Sequence, residues 1–266
     1  MHLPIRSLSA INRRSVEVMS IAMKSYFDGS GKYHDTKMLT LAGWSAVRWE
    51  SFEESWDAML KHHRAPYLHM KEMISPHGRK GGPFKDWKQE DIDNLVDAAI
   101  DTAIIHRKDG LRAVSCTISV TEHKAVSASR RIVGAHYLCS TSCLGDVLNY
   151  EKEVSQHRDW MEVYYDTADR FFRFWVDAVN NKRKKERVPE LQCIDAITGL
   201  LQPTKVIPMQ LADLLGWLQN RKYTVGDRNE WLDRLLTLPN SCRECVENTG
   251  NLLPRPQVRP YAHREP

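Results

Sequence analysis

Two aromatic residues that favour an extended chain run into a carboxylate and a glycine-serine-glycine turn at Ser25-Tyr26-Phe27-Asp28-Gly29-Ser30-Gly31, and this order constrains the fold more than any other stretch. Tyr26 and Phe27 predict a strand, and the glycines end it, so Asp28 is expected where a buried strand meets a loop. One reading of Asp28 is an Asp that opens a hairpin by bonding its own backbone. The other is a carboxylate held rigidly yet open to solvent. The polar residues Lys32 to Asp35 then read as a hairpin connection. They lead into Met38–Val47, whose residues predict a second strand antiparallel to the first.

The period changes after this pair. Trp49, Phe52, Trp56, Met59 and Leu60 recur at helical spacing with Glu50, Glu53, Glu54 and Asp57 between them, an amphipathic helix with a solvated acidic face. A second helix is predicted from Gln89 to His106, a third strand over Leu111–Val120, and a longer helix from Ile132 to about Gln156. Met161–Tyr165 predicts a fourth strand that delivers Asp166. Phe171–Val179 begins another helix, and Leu191–Ile197 predicts a fifth strand at an edge. Pro208 suits the first turn of a helix from Met209 to about Arg221. These elements predict a single α/β domain with a mixed five-stranded sheet flanked by helices. Its expected bounds are 23–223, after a loosely ordered leader over 1–22 and before a short helix at Trp231–Leu238 and a Pro-rich tail within 224–266.

Composition limits the function classes. The 266 residues are 42% hydrophobic and 27% charged, a normal core supply for one large domain. No run of 18 apolar residues occurs, so no membrane helix is expected. Met1–Ala22 lacks the apolar segment of a signal peptide despite Arg13-Arg14, and a start at Met19 or Met23 is compatible with the pattern. The net charge of +4 allows an anionic partner without demanding one. Six cysteines in a chain of this length do not make a disulfide framework, which fits a reducing cytoplasm. Cys242-Arg243-Glu244-Cys245 is a lone CxxC without the second pair or histidines that zinc needs. Cys139 and Cys143, one turn apart, read as small core residues.

Chemistry-bearing residues are few. Asp28, Asp166 and Asp213 sit on three separate predicted elements, and three carboxylates so placed can converge on one metal. Asp213 lies among leucines, where an unpaired carboxylate is costly; a metal, an Arg or a helix cap would each answer that. Gln210, Asp213 and Trp217 share a helix face. His69 and Glu72, three apart, can aim at one site if their segment is helical. His77–Pro83 reads as a flexible basic linker without a P-loop pattern. Lys182, Arg183, Lys184, Lys185 and Arg187 form a basic run that is either a solvated helix end or a contact to a nucleic-acid backbone. Haloacid-dehalogenase chemistry needs a second Asp where Ser30 stands, and actin-like ATPases usually carry Gly there. No Gly-x-Ser-x-Gly or HExxH is present.

The set Tyr26-Phe27-Asp28-Gly29-Ser30-Gly31, the Trp49–Leu60 helix, His69-Met70-Lys71-Glu72, Val163-Tyr164-Tyr165-Asp166 and Met209-Gln210-Leu211-Ala212-Asp213-Leu214 resembles the bacterial and phage family called domain of unknown function 3800. The resemblance spans about Lys24 to Arg221 and implies a ribonuclease H-like fold. In nucleases of that fold, acidic residues on the first strand, a later strand and a C-terminal helix bind two divalent metals. Carried across, Asp28, Asp166 and Asp213 take those places; Glu72, or alternatively His69, completes the set, and Gln210 orients a ligand or bound water. The implied cofactor is Mg²⁺ or Mn²⁺, two ions about 4 Å apart acting on a phosphodiester. The expected function is therefore a metal-dependent nuclease in a phage or mobile-element setting, with DNA or RNA undetermined. The alternative is a non-catalytic nucleic-acid- or protein-binding module on the same fold.

Overall fold

The computed structural model describes residues 23–31, 37–129, 134–154, 161–167, 171–173, 176 and 194–245. Six strands form one sheet: β1 (Met23–Ser30), β2 (Met38–Ala46), β3 (Arg112–Ser119), β4 (Met161–Asp166), β5 (Ile194–Leu200) and β6 (Asn240–Cys245). Their order is β5-β4-β1-β2-β3-β6. β2 runs antiparallel to both its neighbours, while β1 with β4, β4 with β5, and β3 with β6 are parallel. The first five strands in the order β3-β2-β1-β4-β5, with the second alone reversed, form a mixed sheet of the ribonuclease H-like kind. β6 extends it. The tail after Leu238, expected to be irregular, thus begins with a strand, because the open edge of β3 supplies backbone partners that the polar sequence of β6 does not advertise.

Alternation along the strands divides the interior into two cores. Tyr26, Trp44 and Ala113 face one, beneath α1 (Glu50–His62), α4 (Gln89–Ile105), α7 (Ile207–Thr224) and α8 (Asn229–Leu235). Phe27, Leu39, Leu41, Val114 and Cys116 face the other, beneath α6 (Ala135–Val154). α5 (Val120–Ser129), unanticipated, continues directly from β3. Between α1 and α4 lie two short helices, α2 (Met70–Ile74) and α3 (Pro76–Arg79). The second replaces part of the linker expected over 77–83.

α7 is fixed across the middle of the sheet by polar contacts as well as by leucines. Trp44 Nε1 donates to the Leu211 carbonyl at 3.2 Å. Near the other end, Asn220 Nδ2 donates to the carbonyls of Met38 at 3.2 Å and Ser30 at 3.5 Å, so one side chain spans the mouth of the β1–β2 pair. Between these anchors Gly216 sits directly over the first strand; a Cβ there would lie 3.8 Å from the Asp28 carbonyl and 3.6 Å from Ala42 Cβ.

Candidate functional site

The site is built where α7 crosses the C-terminal half of β1. Tyr26 lies in the core under α7, so Asp28, two residues on, faces the same way. Tyr26 pairs with Tyr164 of β4, and their rings stack at 4.7 Å. The parallel pairing runs to Phe27 with Tyr165, and Asp28 and Asp166 are the next residue of each strand. The strand does not stop at Asp28 as the glycines suggest: it pairs on through Ser30 opposite Thr40. Asp28 is therefore held inside a strand, opposite Ala42.

Asp213, on the sheet-facing side of α7, meets Asp28 carboxyl to carboxyl in hydrogen-bonding contact. Its Oδ2 also accepts the Met70 N–H at 2.6 Å. Burial pushes the Asp213 carboxyl up from its ordinary value, and Glu72 adds to the rise; the neighbouring His69, the Met70 N–H and the Asp28 contact act in the opposite sense. Two carboxylates in contact cannot both ionise without a shared proton or an intervening cation. The Asp28–Asp213 pair is thus the strongest electrostatic demand in this part of the molecule.

His69 and Glu72 lie next to this pair on the segment leading into α2. His69 Nδ1 stands 3.0 Å from Glu72 Oε1, and the Tyr67 hydroxyl donates to Glu72 Oε2 at 2.6 Å. Burial alone would raise Glu72, but the bond from Tyr67 and the neighbouring His69 outweigh it and hold the carboxyl below its usual range. Tyr67 moves the other way: burial and the Glu72 bond push its hydroxyl up to about 12. It stays a donor at neutral pH. Glu72 is thereby held charged, with Oε2 engaged by Tyr67, while the buried His69 Nδ1 lies 3.0 Å from Oε1 without a hydrogen-bond partner.

Gln210 is buried one turn before Asp213. Its Oε1 accepts Trp56 Nε1 at 3.0 Å and the Leu68 N–H at 2.8 Å, and its Nε2 donates to the Thr204 carbonyl at 2.8 Å. All of these bonds go to the protein. By holding Leu68, Gln210 fixes the strand-like entry to His69, and so positions the segment that carries His69 and Glu72. Tyr67 and Met70 escaped sequence reasoning, since a tyrosine donor and a backbone N–H carry no motif; only the tertiary fold brings them to the acids.

Among the described residues no group of three or more His, Cys, Asp or Glu side chains stands gathered as a ready metal cage. Of the carboxylates expected to form one, Asp28, Glu72 and Asp213 are neighbours, with Glu72 bonded by Tyr67 and Asp213 by Met70 and Asp28. The basic run Lys182, Arg183, Lys184, Lys185 and Arg187 lies outside the described residues. At the C-terminal edge, Cys242 faces Ser115 across the β3–β6 ladder, and burial pushes its thiol up to about 11. Such a thiol is a poor metal ligand and a poor nucleophile at neutral pH. No helix among the described residues is long and apolar enough to cross a membrane.

No family model matches the chain, and no curated protein matches it. Among solved structures, the chain is similar to one described as the structure of the PCNA:RNase HII complex from Archaeoglobus fulgidus, at 12% identity over 78% of this chain and 76% of that chain, with a TM-score of 0.41. A likeness at that level establishes neither a family nor an activity.

Proposed function

We propose that this chain is a metal-dependent nuclease whose reaction centre is the Asp28–Asp213 pair. The observation that carries the reading is the carboxyl-to-carboxyl contact between the first strand and α7. A fold that forces two acids together on rigid elements demands a counter-charge there. The donor chemistry fits Mg²⁺ or Mn²⁺, which prefer carboxylate oxygens and keep several waters. Asp28, Asp166 and Asp213 would hold the ion, with Glu72 as a further ligand. A bound ion of this kind supplies Lewis acidity to a phosphodiester and a more acidic water.

The chain's own groups prepare this centre. The Met70 N–H orients one Asp213 oxygen. Tyr67 and His69 fix Glu72 as an anion at the rim. Gln210 secures the segment that carries all three. Nucleic acid is the substrate class this reading names.

The test is cleavage of fluorescent single- and double-stranded DNA and RNA with Mg²⁺, Mn²⁺ or EDTA, comparing wild type with Asp28→Asn and Asp213→Asn. Asparagine keeps the shape and removes the charge, and circular dichroism checks folding. Metal-dependent cleavage that falls at least a hundredfold in both variants is expected, as for loss of a group acting only in the transition state. Cleavage by neither wild type nor variants, on any substrate and with either metal, removes the nuclease reading.

A further inference from the structure

The segment from Lys71 to Lys88 carries five cations, Lys71, Arg79, Lys80, Lys85 and Lys88, against two carboxylates, Glu72 and Asp86. It is bound to the site by two close contacts. Ser75 caps α3 by accepting the Gly78 N–H at 3.3 Å, and Gly78 presses so tightly on α2 that a Cβ would fall 2.6 Å from the Lys71 carbonyl and 2.8 Å from Glu72 Cα. Further on, Phe84 is fully buried and packs edge-on against Tyr67 at 5.5 Å and Trp87 at 5.2 Å. Tyr67 is the donor to Glu72. Arg79 Nη1 closes the segment by donating to the Trp87 carbonyl at 3.3 Å.

The backbone of this segment is therefore anchored while its lysines are left outside. Lys71, Lys80, Lys85 and Lys88 are exposed, and none makes an ion pair among the described residues. Elsewhere the basic side chains near α8 are matched: Arg234 by Asp97 and Asp101, Arg228 by Asp93, Arg221 by Asp227. A row of unmatched cations on an anchored scaffold is suited to a polyanion, because each phosphate contact releases condensed counterions. An acidic centre repels a phosphate backbone, so a neighbouring basic surface is what allows one to approach it.

We propose that Lys71, Lys80, Lys85 and Lys88 form a rail that grips the sugar-phosphate backbone of a nucleic acid and holds it against the Asp28–Asp213 pair. The inference deepens the nuclease reading and rests on it for what happens at the pair, but the grip itself is measurable without cleavage. The experiment is fluorescence anisotropy of labelled single-stranded DNA, single-stranded RNA and duplex DNA bound by the full chain in EDTA across a KCl series. Wild type is compared with the Lys71→Ala/Lys80→Ala/Lys85→Ala/Lys88→Ala variant and with an Arg48→Ala/Lys108→Ala control. Arg48 and Lys108 are exposed at the far end of the first helix, where Ser51 bonds Asp109.

Each lost phosphate contact lowers the slope of log affinity against log salt by about 0.7 for single strands and 0.9 for duplex, so the quadruple variant should lose roughly 3 from the slope. The control should keep the wild-type slope. If the quadruple variant misfolds, Lys85→Glu alone is the substitute, with a loss of roughly 1 or more. An unchanged slope in the folded rail variant overturns the rail, even if the protein cleaves. Failure of wild type to bind any of the three probes also overturns it. Loss of slope without cleavage by wild type supports the rail and removes the nuclease reading.

Discussion

Gln210 shows how much one side chain can hold. Its substitution by Ala removes the partners of two N–H groups, from Trp56 and Leu68, and of the Thr204 carbonyl. Each buried orphan costs about 1–3 kcal/mol, so Gln210→Ala should lose roughly 3–5 kcal/mol, read as a drop in the urea midpoint at unchanged slope. A second residue-scale expectation concerns acid. Asp109 accepts from His106 Nδ1 and from the Ser51 hydroxyl, and the His106 bond outweighs desolvation to hold its carboxyl below the usual range. A carboxyl lowered in the folded state adds stability above its unfolded value near 3.9, and that stability is lost as pH falls through the folded value. Asp109→Asn should therefore lower the melting temperature at neutral pH and flatten the decline below about pH 4. An equally steep acid limb in the variant would count against the pair. The sequence pointed to Asp28, His69, Glu72 and Asp213 through motif residues, but it could not show which oxygens are already engaged. That information lies in Tyr67 and in a backbone N–H, neither of which has a sequence signature.

At the scale of elements, the β1–β2 pair depends on one glycine. Gly43 stands opposite Phe27, and a Cβ there would fall 2.3 Å from the Tyr26 carbonyl and 2.4 Å from the Phe27 ring. Backbone on one side and a fully buried ring on the other leave no room to yield. Gly43→Ala should cost more than about 2 kcal/mol, in the range of overpacked cores, and should reduce any cleavage along with stability because Asp28 is the next residue. Thermal unfolding and the cleavage assay together check it. The first four strands and the helices over 50–62, 89–105 and 207–224 were legible because each carries its own period, 2 or 3.6, and its own terminators. The helices over 135–154 and 229–235 were legible as well, whereas other elements were not, for distinct reasons. Val120–Ser129 follows β3 with no breaker between them. β5 is described from Ile194 and runs to Leu200, past its predicted end at Ile197. Asn240–Cys245 has no apolar alternation and forms because β3 offers it an edge.

The described residues form one sheet between two unequal apolar layers, with the acid pair at the seam between the first strand and the last long helix. α7 supplies Leu211, Leu214, Leu215 and Leu218 to the larger layer, and without it the faces of β1 and β2 bearing Tyr26, Ala42 and Trp44 lose much of their cover. A chain ended before Ile207 should not unfold cooperatively and should bind a hydrophobic dye, whereas the full chain should unfold in one urea transition. The two carboxyls of the pair are separated by nearly the entire described chain, Asp28 on its first strand and Asp213 on its last long helix. Contacts between such distant positions form late, after the cost of closing the intervening loop has been met. During synthesis the first acid leaves the ribosome long before the second exists. A nascent or prematurely terminated chain that stops before Ile207 therefore carries one acid of the pair without the other, and the helix that covers the first strand is also the one that completes the pair.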